Sequence, residues 1–448
     1  MGTRVSRRVD LAQGFEIQQT DALGVSVQAP ILILALGGLS MHHGALGIVR
    51  SAGGLGIPVF LAHDQRRSPI DSSRYCEGSL LLAPEVTPER KLQILLSFGH
   101  DRDRAVLVAV DDASAMFVGD HAGLLEDVFL FPRQPGGLAR ALADKREMRQ
   151  LCTRHDVCTP VCEFPQSEAD VAEYAVRAVF PVVAKRIDAS RPAAADAPNA
   201  RIAHNPSELL DAFSLMASPN EMNVMLQEYI PADEGANWMF NGYFDARGTC
   251  TVAFTGRKLR QSPPDAGATT LGVCEPNRAV EELAKRFMEA VGYRGLVDVD
   301  YRLDSRDGRY KLLDVNPRIG ASFRLFTAID GTDVLRAMYF DLASEADVSA
   351  TQPNGRRWIV EPQDLRSSVT YVKRGDLTIR AWARSLCHVE ETAWWSSRDP
   401  LPFVVMSWRL LVAGLRKRLG RRTRAPTPTG GGCAPGEPGA IGEHRARR

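Results

Sequence analysis

No G-x-G-x-x-G run follows a strand-like segment in this chain, so the usual reason to expect a bound dinucleotide is missing. Eight cysteines are scattered along 448 residues, and Cys152, Cys158 and Cys162 lack a zinc-binding spacing; they read as reduced thiols. Charge of one sign is not in excess. The net charge of +1 supplies no global pull toward nucleic acid or membrane. Arg4, Arg7 and Arg8 precede a polar stretch rather than an apolar one, which argues against a signal peptide, and a cytoplasmic location is expected. The longest apolar run near the C-terminus, residues 401–415, includes Arg409 and is too short to span a bilayer.

What remains is an ordinary globular composition, 44% hydrophobic and 24% charged, with room for two or three domains. The most informative stretch is residues 294–326, RGLVDVDYRLDSRDGRYKLLDVNPRIGASFRLF. It reads as two strands joined by a polar turn at Asp307-Gly308. Val297, Val299 and Tyr301 alternate with Asp298, Asp300 and Arg302 on the first strand. On the second, Lys311, Leu313 and Val315 alternate with Leu312, Asp314 and Asn316. Pairing centred near Asp307 sets Asp300 opposite Asp314, where like charges repel unless something positive lies between them. Two carboxylates and an amide oxygen are hard ligands that suit Mg²⁺. Pro317 stops the ladder, and Arg318 follows with a two-pronged grip for phosphate or carboxylate. Taken alone, the same pattern also fits a solvated acidic hairpin.

Upstream, residues 31–36 and 58–62 are apolar strand-like runs separated by Gly37-Gly38 and a helix-like stretch, a βαβ unit. Residues 105–110 and 128–130 continue the parallel pattern. Lys145 starts a helix, and Lys185 ends an apolar strand, where its charge must find solvent or a partner. Residues 224–231 read as a strand ending in Pro231 and the acidic pair Asp233-Glu234. Two further strands, 238–245 and 251–258, precede a basic cluster of Arg257, Lys258 and Arg260, which could equally be a solvated face. Residues 358–403, with Trp382, Trp394 and Trp395, read as a small appended unit. Residues 407–419 could form an amphipathic helix with a basic end, suited to an anionic membrane surface, to a protein partner or to plain solvation.

The motif LLDVNPR, with an upstream acidic residue, resembles the metal-binding strand of the ATP-grasp ligases, a superfamily that includes carbamoyl-phosphate synthase and D-alanine–D-alanine ligase. The order of the weaker motifs over residues 30–345 resembles it too, and FNGYFDARG, TGRKLRQSPP and DVNPRIGASFRLF look closest to carboxylate–amine ligases of the D-aspartate ligase-like group. The resemblance implies an α/β chain with an α+β nucleotide domain. Residues 1–28 would be an extension, 29–125 a Rossmann-like pre-ATP-grasp domain and 126–345 the ATP-grasp domain. Residues 346–420 would be an appended segment and 421–448 a disordered tail.

It further implies that Asp300, Asp314 and Asn316 bind Mg²⁺ (or Mn²⁺), and that Lys145 and Lys185 hold ATP phosphates. Gln227, Glu228, Tyr229 and Ile230 would form the adenine hinge, with Glu234, or in reserve Asp233, at the ribose. Arg318, Lys258 and Arg260 would act on the transferring phosphoryl group. His42 and His43, beside a turn that could hold a substrate anion, and Gly267, Thr269 and Thr270 would lie near the substrate. The family most often has Glu where this chain has Asp314, which leaves the number of metal ions open. The loop 187–199 has no glycine, unlike the Gly-rich flap of many relatives, and Ser190 or Arg191 would take over its phosphate contacts. The implied reaction activates a carboxylate as an acyl phosphate and joins it to an amine, with those small molecules as partners and no nucleic acid. A homodimer is compatible. The alternatives are other ATP-grasp chemistry, carboxylation or carbamoyl phosphate formation, and a non-catalytic ATP-binding scaffold.

Overall fold

The apolar runs near the N-terminus form a parallel sheet: β1 (Ile31–Ala35), β2 (Val59–His63), β3 (Cys76–Leu81), β4 (Ala105–Ala109) and β5 (Phe129–Leu130), in the order β3-β2-β1-β4-β5. Every residue of β1 is buried, as expected for a central parallel strand covered on both faces. The computed structural model describes residues 29–38, 41–65, 67–187, 199–217, 223–231, 233, 235–264, 267–344 and 348–423.

A four-stranded antiparallel sheet follows, built from β6 (Cys162–Glu163), β7 (Val182–Arg186), β8 (Ala200–Ala203) and β9 (Val224–Glu228) in the order β6-β9-β7-β8. The helices Glu168–Arg177 and Pro206–Met216 cover it through Val171, Leu209 and Phe213.

The largest sheet contains β10 (Asn237–Phe244), β11 (Cys250–Ser262), β12 (Ala268–Cys274), β13 (Gly295–Asp304), β14 (Arg309–Asn316), β15 (Arg357–Ile359) and β16 (Glu391–Thr392), in the order β14-β13-β10-β11-β12-β15-β16. One face packs on the amphipathic helix Arg278–Ala290, with Val280, Ala284 and Phe287 against Phe240, Val299 and Leu312.

The segment read as an appended unit is part of this sheet. Trp358 of β15 pairs with Gly272 of β12, and the helix Glu361–Arg374 lies against β11 and β12. Trp358 and Trp394 are buried in this body, whereas Trp395 is exposed. Two compact units meet between Val404 and Val405, within the helix Leu401–Thr423; all three sheets belong to the first.

Candidate active site

Strand β13 turns Val297, Val299 and Tyr301 into the core, which leaves Asp298 and Asp300 on the opposite face. Strand β14 does not alternate strictly. Tyr301 pairs with Leu312 but Asp300 pairs with Asp314, so Leu313 is an extra residue in a bulge. Leu312 and Val315 therefore both enter the core, while Leu313, Asp314 and Asn316 line a cleft of about 420 Å³ together with Asp298 and Asp300. Simple alternation had grouped Leu312 with Asp314 and Asn316; the bulge separates them. Beyond it, Asp298 pairs with Asn316.

Cations reach this acidic floor from three other elements. Lys145, first residue of the helix Lys145–Arg154 and held there by the Asp144 cap, places Nζ 3.4 Å from Asp314 Oδ1. Lys258 of β11 donates to Asp300 Oδ2 at 2.7 Å. Lys185 of β7 lines the same cleft. Arg318, just past the hairpin, donates through Nε to Asp112 Oδ1 at 2.9 Å and through NH2 to Asn316 Oδ1 at 3.0 Å.

The electrostatics follow from burial and from these neighbours. Burial pushes the Lys185 ammonium down to about 8, and Lys145 adds to that while Asp314 opposes it. Burial also works against the charge on Asp314, yet Lys145 and Lys185 outweigh it and hold this carboxyl below its usual range. Asp298 is pushed the other way, up to about 6, by burial and then by the charge on Asp300. Asp298 was read only as part of the alternation. Its spacing of two from Asp300 was the available signal for a third acidic residue on the cleft face. Asp112, at the start of the helix Asp112–Asp120, had no such signal, because only the tertiary fold brings it to Arg318.

Several expected contacts lie elsewhere. Arg260 forms a two-pronged pair with Asp364, Nε to Oδ1 at 2.8 Å and NH2 to Oδ2 at 2.9 Å, and NH1 donates to Ser385. Lys258 pairs with Gly272 and Arg260 with Leu271, so a bulge at Leu259 reverses the alternation and turns Arg260 away from the cleft. Thr270 also serves Asp364, through Oγ1, whereas Gly267 and Thr269 line the cleft.

At the hinge, Gln227 and Tyr229 face the cleft, but Glu228 and Ile230 are not among its lining residues. The Glu228 carboxylate accepts from Val161 N at 2.9 Å, Arg306 at 2.9 Å and Lys311 at 3.2 Å. Ile230 is buried, and its carbonyl accepts from Arg302. Asp233 is exposed and not among the lining residues. Glu234, Ser190 and Arg191 lie outside the described residues.

In the Gly37-Gly38 turn, the Gly37 amide donates to the Asp111 carboxylate at 3.0 Å. His42 caps the helix His43–Gly53 through Nδ1, and its Nε2 donates to Val110 O at 3.1 Å. His43 lines the cleft and packs on Trp358 with ring centroids 5.5 Å apart. Burial lowers His42 to about 4, with Arg318 adding to it, and lowers His43 to about 3, so both imidazoles are neutral at pH 7.

Among the described residues no three His, Cys, Asp or Glu side chains cluster as a metal site. The donor set offered is two carboxylates, Asp300 and Asp314, directly opposite across the hairpin, with the Asn316 amide oxygen one pair further along. Each carboxylate faces a lysine, which shows that the position attracts positive charge. Oxygen-only donors suit Mg²⁺ rather than a softer ion.

Residues 253–349, which contain this hairpin, match the family model of the carbamoyl-phosphate synthase L chain, ATP binding domain. Within these residues the chain is similar to the ATP-binding domain of that family. The D-aspartate ligase of Enterococcus faecium (strain Aus0004) is 24% identical over 241 residues, 52% of this chain and 57% of that protein. The chain thus spans little more than half the length of that relative. The crystal structure of the L-amino acid ligase from Bacillus licheniformis superposes with a TM-score of 0.55 at 15% identity, over 71% of this chain and 75% of that one. The biotin carboxylase domain of the Hydrogenobacter thermophilus 2-oxoglutarate carboxylase, solved as a dimer with MgADP and bicarbonate, gives 0.54 at 13% identity, over 72% of each chain. At these identities the solved structures establish the fold.

Proposed function

We propose that this protein is an ATP-dependent carbon–nitrogen ligase that activates a carboxylate as an acyl phosphate and joins it to an amine. The observation that supports this most is the convergence of Lys145, Lys185, Lys258 and Arg318 on a floor of Asp300, Asp314 and Asn316 in one cleft. A carboxylate is a poor acylating agent because its leaving group would be oxide. Transfer of the γ-phosphoryl group breaks the Pγ–O bond to ADP and forms an acyl phosphate. The amine nitrogen then attacks the acyl carbon, phosphate departs with the C–O electron pair, and the nitrogen gives up its proton to form the amide. Such chemistry asks the protein for positioning and charge neutralisation.

Lys145 and Lys185 are assigned to the phosphates of ATP, and Gln227 and Tyr229 to the base. Glu228 and Ile230 contribute at most backbone, and Glu234 keeps its proposed place at the ribose. Lys258 and Arg318 would neutralise charge developing on the phosphoryl group and on the acyl phosphate. Arg260 has no part in the chemistry; it ties β11 to the helix Glu361–Arg374. Asp300, Asp314 and Asn316 would hold Mg²⁺, which when bound screens the phosphate oxygens; Mn²⁺ offers the same charge. Asp112 holds the Arg318 guanidinium at the cleft, a charge-assisted contact that limits its motion.

The structure of a carboxylase domain with bicarbonate gives a second reading, in which bicarbonate takes the place of the carboxylate. The test is ADP release from ATP and Mg²⁺ with pools of amino acids and other carboxylates, with and without added bicarbonate, followed by mass identification of the product. Release that needs an acid and an amine supports ligation. Dependence on bicarbonate alone supports carboxylation, and nucleotide binding without any turnover would make the chain a scaffold. The acid and the amine are small molecules, the protein is expected in the cytoplasm, and no part of this reading calls for nucleic acid.

A further inference from the structure

The helix Leu401–Thr423 supplies no lining residue to the cleft, and it carries a row of exposed apolar side chains. Leu401, Val404, Trp408, Leu411 and Leu415 follow one another at spacings of three and four, so they share a single stripe along the helix. Each is between 49% and 65% exposed. Apolar side chains scattered singly on a surface are unremarkable, but five in a row extend for about 21 Å at 1.5 Å per residue.

The same helix is strongly basic. Arg409, Arg416, Lys417, Arg418, Arg421 and Arg422 fall between positions 401 and 423, and no Asp or Glu does. Among the described residues no helix is long and apolar enough to cross a membrane.

We propose that this helix is an interfacial anchor, which lays its Leu401–Leu415 stripe into the headgroup boundary of an anionic lipid bilayer. The charge pattern separates a bilayer from a second copy of the helix. A second copy of the helix would bring only positive charge to positive charge. Coiled-coil pairing draws its partner choice from opposite charges beside the seam, and this helix carries none. An anionic bilayer satisfies both halves of the pattern, apolar depth for the stripe and phosphate for the arginines. Trp408 lies mid-stripe, and an indole is the side chain most at home at the headgroup level. The inference is independent of the reaction assigned to the cleft.

The experiment is vesicle co-sedimentation of the full chain at low salt, with phosphatidylcholine alone and with about 30 mol% phosphatidylglycerol added. The expected result is roughly tenfold greater binding to the anionic vesicles, lost on raising salt, because exposed charges beyond a Debye length are screened. The double variant Trp408→Asp/Leu411→Asp should abolish binding, and Arg416→Glu/Arg418→Glu/Arg422→Glu should remove the preference for anionic lipid. Both variants should keep the parent's thermal unfolding midpoint, since the altered residues are exposed or lie at the helix end. Equal binding to neutral and anionic vesicles, no binding to either, or binding unchanged in the double variant would each overturn the proposal. So would a lipid-free dimer, seen by sedimentation equilibrium, that the double variant dissolves, because a second copy would then own the stripe.

Discussion

The two ends of the β13–β14 hairpin carry similar numbers of carboxylates and treat them in opposite ways. At the turn end, Asp304 is fully buried and takes its neutralising charges from the hairpin itself. Arg306 donates through Nε at 2.8 Å and Lys311 sits 2.6 Å away, and both also reach Glu228. At the cleft end, the partners of Asp300 and Asp314 come from β11 and from the helix Lys145–Arg154, far away in sequence. Charges satisfied within a hairpin hold that hairpin together. Charges met by groups imported from separate elements stay in place only while those elements do, and a polyanion can claim the imported lysines. The comparison separates an acidic cluster neutralised from within its hairpin from one neutralised by distant elements, as the proposed site requires, although both read alike as alternating Asp and Lys.

The sharpest way to break this comparison is Asp314→Ala. Turnover should fall on the order of 10²–10³-fold, the scale of removing one preorganised electrostatic group, while the urea midpoint stays close to that of the parent. ADP release and equilibrium unfolding measured on the same preparation check both halves. A fall in stability as large as the fall in rate would place the cleft end in the structural class.

Asp364→Ala tests a charge that is imported from afar yet sealed. Arg260 and Asp364 are 6% and 1% exposed, and removing one partner of such a pair costs about 3–5 kcal/mol. Urea unfolding should show that loss, and the apparent affinity for ATP, measured well below the unfolding transition, should hardly move.

Asp304→Asn addresses the turn end through pH. Hydrogen bonds from Arg306, reinforced by Lys311 against the cost of burial, hold the Asp304 carboxyl well below the usual carboxylate range. A depressed folded-state pKa contributes stability above the unfolded pKa, near 4 for Asp, that drains away as pH falls below it. The variant should therefore lose stability at pH 7 and show a flatter decline between pH 5 and 2 than the parent. Thermal melts across that range would show it; parallel curves would remove Asp304 from the account.

The smallest effect is expected from Glu228→Gln. Because this carboxylate faces Arg306 and Lys311 rather than the cleft, the KM for ATP should stay within about threefold, less than 1 kcal/mol by the usual conversion. A larger rise would return Glu228 to the nucleotide.

Much of this was legible in the chain because period-two patterning and turn chemistry are local. The hairpin, the pairing of Asp300 with Asp314, the lysine opening a helix and the lysine on β7 all follow from neighbours in sequence. Two bulges were not legible. The one at Leu313 keeps Leu312 in the core while Asp314 faces the cleft, and the one at Leu259 sends Lys258 and Arg260 to opposite faces. A bulge depends on what each face packs against, and alternation alone assigns both basic residues to the same side. Asp112 and the sheet partner of Trp358 were hidden for a related reason: each is met only after more than eighty residues of intervening chain. The segment after residue 346 looked separate because its strand is three residues long and gives almost no periodic signal.

The contact between Arg318 and Asn316 has a consequence for coordination chemistry. A carboxamide can present either its oxygen or its nitrogen to a given side, and only the oxygen is a ligand for a hard cation. Arg318 NH2 takes one lone pair of Oδ1, and the opposite edge of the amide, Nδ2, leans 3.4 Å from Asp298. The guanidinium thereby fixes which way the amide is turned, with one lone pair of that oxygen left over, as the proposed Mg²⁺ site requires.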